Sequence, residues 1–221
     1  MDIKYSKALI FDLDDTLYKE RTYLESAFLE IAEIIAGIIN ENSNIILEEM
    51  LQLFNNDKEV FNTVLMKFKC NLSSKQLVTT YRKHKPKIQL PIEQRCVLDT
   101  LLKMRIPMGL LTDGRSEQQR NKIKALGVAQ YFEKIVISEE FGSEKPCEKN
   151  YLVFEDFFKA EKYIYIGDNT KKDFISPNKL AWDSICLFDN GLNIHKQDFT
   201  LPNSYLPKHK VFNFQEILDI I

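Results

Sequence analysis

The chain has 221 residues, and its 30 Lys and Arg residues nearly balance 32 Asp and Glu residues, giving a formal net charge of −2. Hydrophobic residues make up 44% of the chain and aromatic residues 11%, which is enough for a sizeable core and excludes global disorder. The small net charge argues against a general nucleic-acid coat or a polybasic membrane binder. No apolar run in the sequence approaches the ~18 residues of a membrane span. The start lacks the basic-then-apolar build of a signal peptide, so we expect a cytoplasmic protein without nucleic-acid or membrane partners.

Short apolar runs, several of which end abruptly in polar residues, predict strands buried on both faces of a parallel sheet. They lie at residues 6–12, 106–112, 134–138, 163–167 and 184–188, with an edge strand at 210–212. Helices of about ten residues are predicted between them. We therefore expect an α/β fold, with a doubly wound, Rossmann-like, mainly parallel sheet.

Helix signals support this alternation. Ser116 and Gln119 have the spacing of a capping box, and Gly127 is placed to end the same helix. A second helix is predicted from Pro146, with Cys147 and Tyr151 at the start of its apolar stripe. Further short helices are expected from residue 176 and after residue 213.

Residues 18–87 differ from the rest because they contain no convincing strand. A long amphipathic helix is predicted across residues 23–39, and shorter helical stretches follow at 45–54, 58–69 and 74–84. We predict a small all-helical cap domain at 18–87, inserted into a discontinuous α/β core formed by 1–17 and 88–221. Lys85-Pro86 and Leu90-Pro91 mark the return to the core.

The residues with the clearest chemical character directly follow the first predicted strand. Asp12 and Asp14 belong to the sequence Asp-Leu-Asp-Asp-Thr at 12–16. In open α/β sheets, ligands bind beyond the carboxyl ends of strands, so both acids are expected in that crevice. On an extended strand end they share a face and can reach one ligand.

Three later blocks fall at comparable positions. They are Thr112-Asp113-Gly114 before a helix, Lys145-Pro146, and Gly167-Asp168 followed by Asp173. A tight turn, a solvated lysine and a polar loop are the alternative interpretations of these blocks taken singly. Free backbone N–H groups are expected at the helix start after Gly114, where they suit an anion. Their shared location and order favour one active site.

The order of these four blocks resembles that of the haloacid dehalogenase superfamily, most of whose members are Mg²⁺-dependent phosphohydrolases. The motifs span residues 9–173, and a helical insertion between the first two is similar to that family's helical-bundle cap. One departure is Ala181, where many relatives place a glycine.

The resemblance implies roles for individual residues. Asp12 would be the nucleophile that forms an aspartyl-phosphate, and Asp14 the general acid and base. Thr112 and the backbone of Asp113 would bind the phosphate, with Lys145 neutralising Asp12 and the transferring group.

The resemblance also implies a Mg²⁺ site. Its ligands would be the Asp12 carboxylate, the Asp14 main-chain carbonyl and Asp168, with Asp173 supporting the ion indirectly. Physical chemistry independently favours a cation, because gathering these acids around Lys145 leaves excess negative charge. Each close like-charge pair costs on the order of 4 kcal/mol at 4 Å and an effective dielectric of 20. An all-oxygen ligand set favours Mg²⁺ over zinc.

The resemblance points to a Mg²⁺-dependent phosphohydrolase acting on a small phosphorylated metabolite. A sugar-phosphate mutase could use the same core residues, and a non-catalytic binding module is the remaining alternative. A dehalogenase would lack the acid at Asp14. Seven Lys or Arg residues at 67–87 either form a solvated face or attract an anionic substrate. We expect a monomer or a weak homo-oligomer.

Overall fold

The structure is a computed structural model that describes residues 4–221; residues 1–3, with which the predicted core segment begins, lie outside this range. Six parallel strands form one sheet in the order β3-β2-β1-β4-β5-β6. The strands are β1 (Tyr5–Phe11), β2 (Met108–Thr112), β3 (Lys134–Ile137), β4 (Ala160–Gly167), β5 (Asp183–Leu187) and β6 (His209–Val211). The predicted α/β fold with a parallel sheet is confirmed.

Alternate residues of the central strands enter two different hydrophobic cores, as the pleat of a strand requires. Leu9 and Phe11 of β1 belong to the core on one face of the sheet, and Ala8 and Ile10 to the core on the other. All four side chains are fully buried. Burial on both faces explains why the sequence shows a continuous apolar run here rather than an alternating one.

Ten α-helices occur within residues 4–221. They are α1 (Glu20–Ile39), α2 (Ser43–Asn55), α3 (Phe61–Lys67), α4 (Ser74–Lys83), α5 (Ile92–Lys103), α6 (Ser116–Leu126), α7 (Ser138–Phe141), α8 (Lys149–Phe158), α9 (Ile175–Lys179) and α10 (Ile217–Ile220). Helix α6 ends as predicted, because Gly127 adopts the left-handed conformation at its C-cap. Helices α5 and α7 had no specific prediction.

Two helix-start predictions are wrong. Helix α8 begins at Lys149 rather than at Pro146, because the preceding residues form a turn in which the Cys147 amide donates to Glu144. Cys147 therefore precedes the helix. The Ser116–Gln119 capping box does not form: the Ser116 hydroxyl donates to Glu140 at 2.6 Å, and the Gln119 side chain bonds elsewhere.

The segment between β1 and β2 contains the four expected helices α1 to α4, which share a hydrophobic cluster of their own. Phe28, Ile31 and Ile35 of α1 pack there against Met50 and Leu77. The first turns of α1 instead join the core beside the sheet, through Tyr23 and Ala27. The predicted domain boundaries at 17/18 and 87/88 remain a prediction. None of the described helices is long and apolar enough to cross a membrane.

The strand order brings the predicted site residues to one edge of the sheet. Strands β2 and β4 flank β1, and the chain runs away from β1 in opposite directions on its two sides. The residues that follow β1 and β4, Asp12 and Asp168, therefore lie at the same edge of the sheet as Thr112 at the end of β2. Farther along the chain, Ala181 has a positive φ of 58°, the left-handed conformation that favours glycine.

Candidate active site

A buried lysine joins two of the predicted acids. The Lys145 ammonium lies 2.7 Å from Oδ1 of Asp12 and 2.8 Å from Oδ1 of Asp173, and it donates to the Tyr165 hydroxyl at 3.0 Å. The Lys145 side chain is 1% exposed. Because an unpaired ammonium at this depth would be strongly destabilising, the two carboxylates hold it in place.

Asp173 is fully satisfied by protein donors. Its Oδ2 accepts hydrogen bonds from the backbone amides of Asp168 (3.2 Å) and Asn169 (2.9 Å), while Oδ1 contacts Lys145. Gly167 permits this approach, because a Cβ there would lie 2.5 Å from Oδ2 of Asp173. Asp173 thus organises the loop after β4.

Asp168 lies beneath a loop that follows β5. Its Oδ2 accepts a hydrogen bond from the side-chain amide (Nδ2) of Asn193 at 2.8 Å. Oδ1 of Asn193 in turn accepts one from the Lys19 ammonium at 2.5 Å. Asp15 holds the same loop, because its Oδ2 accepts from the Ile194 amide at 2.8 Å. Residues 189–198 therefore close one side of the site.

Asp14 points to a different lysine from the one expected. Its Oδ1 accepts from the Lys122 ammonium at 2.8 Å and from the Tyr18 hydroxyl at 2.6 Å, and its Oδ2 accepts from Gln119 at 2.9 Å. Lys122 also contacts Glu20 at 2.9 Å. The expectation that one lysine serves all four acids is therefore wrong; Lys145 serves Asp12 and Asp173, and Lys122 serves Asp14.

Thr112 and Asp113 are held by side chains from neighbouring elements. Gln119 donates to the Thr112 hydroxyl oxygen at 2.6 Å, which leaves the hydroxyl proton free to donate to another group. Asp113 accepts from the Lys145 backbone amide at 3.1 Å and from the Lys172 ammonium at 2.8 Å. Asp113 thus ties the lysine-bearing loop to the end of β2.

The helix start after Gly114 is more occupied than expected. The Gly114 amide donates to the Ser138 hydroxyl at 2.9 Å, and the Ser116 amide donates to Glu139 at 2.7 Å. Glu139 also pairs with Arg115 at 2.7 Å. These two amides are not free for an anion, because the Ser138 hydroxyl occupies one and the Glu139 carboxylate occupies the other, at the positive end of α6.

A cavity of about 140 Å³ opens between these groups. It is lined by Asp12, Asp14, Asp15, Glu20, Thr112, Asp113, Asp168, Asn169, Lys172 and His195. Among the described residues that line it, none comes from the basic segment 67–87. Within that segment, Lys67 pairs with Glu49 at 2.5 Å, and His84 is buried against Glu30 and Ser26.

The positive charges around the cavity are too few to balance its buried carboxylates. Burial, followed by repulsion from Asp173, raises the pKa of Asp12 to about 7 despite Lys145. Burial and the charges of Asp173 and Asp12 raise the pKa of Asp168 well above its usual range. Burial would also raise the pKa of Asp173, but Lys145 and Lys172 outweigh it and lower that pKa. A positive charge near Asp12 and Asp168 would relieve the repulsion.

The donor set fits a hard divalent cation. Asp12, Asp168 and Asp173 each offer a carboxylate oxygen, and these three atoms lie within 4.8 Å of one another. All are oxygen ligands, as Mg²⁺ prefers. Because protein donors occupy both oxygens of Asp173, Asp12 and Asp168 are the better direct ligands.

Several residues of the site were not predicted. Lys122, Gln119 and Asn193 bind the predicted acids directly, and so does Tyr165. Gln119 and Lys122 are three residues apart on α6, so they share a helix face. That spacing, directly after the Thr-Asp-Gly block, was the available signal.

Residues 9–186 match the family described as haloacid dehalogenase-like hydrolase. The chain belongs to this family. The resemblance seen in its motifs is confirmed, and the chain is an enzyme of the haloacid dehalogenase (HAD) type.

The chain is similar over nearly its whole length to a glyceraldehyde 3-phosphate phosphatase of Methanocaldococcus jannaschii, with 27% identity across 97% of this chain and 96% of that protein. It is 30% identical to a protein of the same name from Methanopyrus kandleri, across 78% and 80% of the two chains. Among solved structures, the Bacillus subtilis HAD-hydrolase YfnB bound to magnesium has a TM-score of 0.69 at 20% identity, covering 98% of both chains. That last likeness concerns the fold.

Proposed function

We propose that this protein is a Mg²⁺-dependent phosphohydrolase that acts on a short phosphorylated metabolite through a phosphorylated Asp12. The observation that carries the proposal is the burial of Asp12 between the Lys145 ammonium and the acids Asp168 and Asp173, at the floor of a small cavity. A carboxylate at the floor of a polar cavity, beside a fixed cation, is suited to nucleophilic attack on an electrophilic phosphorus.

The residues divide the proposed chemistry between them. An oxygen of Asp12 attacks phosphorus, and the bond from phosphorus to the ester oxygen breaks while Asp14 gives that oxygen a proton. Water then attacks the phosphorylated Asp12, the bond to Asp12 breaks, and Asp14 takes a proton from the water. The Thr112 hydroxyl, the Asp113 backbone and Lys145 bind the phosphoryl oxygens, supported by the proton that Thr112 has free to donate.

Mg²⁺ would be held by Asp12 and Asp168 together with the Asp14 main-chain carbonyl, and Asp173 would support it indirectly. When bound, the ion supplies charge stabilisation to the transferring phosphoryl group. The protein itself orients the side chains that would bind the ion, because Asn193 fixes Asp168 and Lys145 fixes Asp12.

The size of the cavity supports a short substrate. Its volume of about 140 Å³ is well below the ~300–1,000 Å³ of sites for drug-sized ligands. A phosphate group with a chain of a few carbons fits such a space better than a nucleotide. The names of the two relatives above support the same size class, so glyceraldehyde 3-phosphate is the first substrate to test. We propose that the helical segment 18–87 acts as the cap over this cavity.

The test is phosphate release from a panel of esters, with Mg²⁺ and with a chelator. Glyceraldehyde 3-phosphate and phosphoglycolate represent short substrates, and uridine monophosphate represents the nucleotide class named for a Streptococcus pneumoniae relative. We expect turnover of the short esters with Mg²⁺, none with chelator, and loss of at least 1,000-fold in Asp12→Asn. Asp156→Asn, an exposed acid on α8, is the matched control and should retain activity.

The mutase alternative makes a different prediction in the same assay. A mutase given glucose 1-phosphate would form the 6-phosphate isomer with little release of inorganic phosphate. Equal phosphate release with chelator, or by Asp12→Asn, would refute the proposed mechanism, whereas no turnover of any ester would favour a binding module.

A further inference from the structure

Lys122 is a buried lysine that the proposed chemistry does not yet use. Its side chain is 1% exposed, and its ammonium lies 2.8 Å from Asp14 and 2.9 Å from Glu20. The same ammonium sits over the ring of Tyr23, 4.6 Å from the ring centroid. An isolated buried ammonium is destabilising, so this position depends on the two carboxylates that flank it.

The contacts of Lys122 join three separate parts of the chain. Lys122 lies on α6, Asp14 follows β1, and Glu20 is the first residue of α1 in the helical segment. Because Nζ contacts both carboxylates, Lys122 links the Asp14 carboxylate to the start of α1.

Lys122 is one of three donors that fix Asp14. Tyr18 and Lys122 donate to Oδ1, and Gln119 donates to Oδ2 at 2.9 Å. A carboxylate that accepts bonds on both oxygens is held in one orientation and in its proton-accepting form. That form suits the second step of the reaction, in which a proton leaves the attacking water.

We propose that Lys122 is a positioning residue that orients Asp14 to deprotonate the water attacking the phosphorylated Asp12. The inference rests on the proposed function. In this step, the water oxygen bonds to phosphorus and the bond from phosphorus to Asp12 breaks, returning the electron pair to the Asp12 carboxylate. The water proton passes to Asp14, whose orientation Lys122 sets. When the leaving group departs without protonation, the phosphorylation of Asp12 does not need Asp14 as an acid. A misplaced Asp14 then slows the hydrolysis of phosphorylated Asp12 much more than its formation.

p-Nitrophenyl phosphate separates the two steps, because p-nitrophenolate leaves with little help from an acid. The ratio kcat/KM then reports phosphorylation of Asp12, whereas kcat includes its hydrolysis. For Lys122→Met we expect kcat/KM within about threefold of the wild type and kcat lower by about 100-fold. Phosphorylated enzyme should accumulate, measured by intact-mass spectrometry of acid-quenched samples.

Lys124→Met is the matched control, because Lys124 is an exposed lysine two residues farther along α6. It should keep both constants and show no phosphorylated enzyme. Asp14→Asn is the positive reference and should accumulate the phosphorylated form. Should Lys122→Met fail to fold, the double variant Lys122→Met/Glu20→Gln leaves no unpaired carboxylate at the start of α1. It tests the same difference between the effects on kcat and on kcat/KM.

An equal fall of kcat and kcat/KM in the folded Lys122 variant, or an unchanged kcat, would overturn the positioning role. If Asp14→Asn accumulates phosphorylated enzyme and the Lys122 variant does not, the inference fails while the proposed function stands. A wild-type enzyme without Mg²⁺-dependent turnover would instead refute the proposed function.

Discussion

Asp12 should destabilise the metal-free protein at neutral pH, and Asp12→Asn tests this directly. Burial and the neighbouring Asp173 raise the pKa of Asp12 from 3.8 to about 7 in the folded protein. Between these two pH values, the folded chain keeps a proton on Asp12 that the unfolded chain has lost. The free energy of unfolding should therefore fall as the pH rises through this window.

The size of the effect follows from the shift. About three pKa units at 1.36 kcal/mol each give an upper bound on the order of 4 kcal/mol at pH 8. Replacing Asp12 by Asn removes this penalty but also removes one partner of Lys145, which keeps Asp173 at 2.8 Å. We expect Asp12→Asn to be more stable than the wild type by roughly 1–3 kcal/mol at pH 8 and about equal at pH 5.

Urea unfolding in the presence of a chelator, at pH 5 and pH 8, measures this difference. Asp156→Asn serves as the control, since that carboxylate is exposed. Adding Mg²⁺ at 1,000 times its dissociation constant should reverse the order at pH 8, because the ion then stabilises the wild type by about 4.1 kcal/mol. A variant less stable than the wild type at pH 8 without metal, or the same difference at both pH values, would refute this reasoning.

Three further substitutions have defined outcomes. Gly167→Ala places a Cβ 2.5 Å from the Asp173 carboxylate, so activity should fall at least 100-fold and the free energy of unfolding in urea should fall by about 1–3 kcal/mol. The control is Gly37→Ala, which has open space in an exposed part of α1 and should raise the free energy of unfolding by about 0.5–1 kcal/mol. Ala181→Gly relieves a left-handed alanine and should raise the free energy of unfolding by about 0.5–1 kcal/mol; a loss would show that the Cβ contributes packing. Asn193→Ala removes the amide that orients one acid of the proposed metal site, so calorimetric Mg²⁺ affinity should fall about 10-fold, and unchanged affinity would exclude this role.

The backbone arrangement of the site could be predicted because it follows from strand ends. Asp12, Thr112 and Asp168 each come at or directly after the last residue of a buried strand, and parallel strands bring such residues to one edge of the sheet. Apolar runs were sufficient to find those ends. The predicted fold class and the family resemblance rested on this regularity.

The side-chain partners could not be predicted in the same way. Local spacing predicts Ser116 as the capping-box partner of Gln119, whereas tertiary packing brings Gln119 to Thr112 and Asp14. Asn193 lies in a polar loop without periodicity, so nothing local indicated that it contacts Asp168. Such contacts depend on how elements distant in sequence pack together.

The two central acids, although only two residues apart, have opposite electrostatic surroundings. Burial would raise the pKa of Asp14, but Lys122, Tyr18 and Gln119 outweigh it and lower that pKa, whereas the pKa of Asp12 is raised. The proposed first step needs the reverse: an ionised nucleophile and a protonated acid. A cation beside Asp12 favours its ionised form, and a phosphate dianion beside Asp14 favours its protonated form.

Substrate and metal would therefore set the protonation states that the free protein lacks. At limiting Mg²⁺ concentration, the acid limb of the pH profile of kcat/KM should consequently lie near pH 7. It should move to lower pH as the Mg²⁺ concentration approaches saturation, because the ion competes with the proton on Asp12. An acid limb independent of Mg²⁺ concentration would mean that Asp12 is not a ligand, and the proposed metal site would then need a different set of residues.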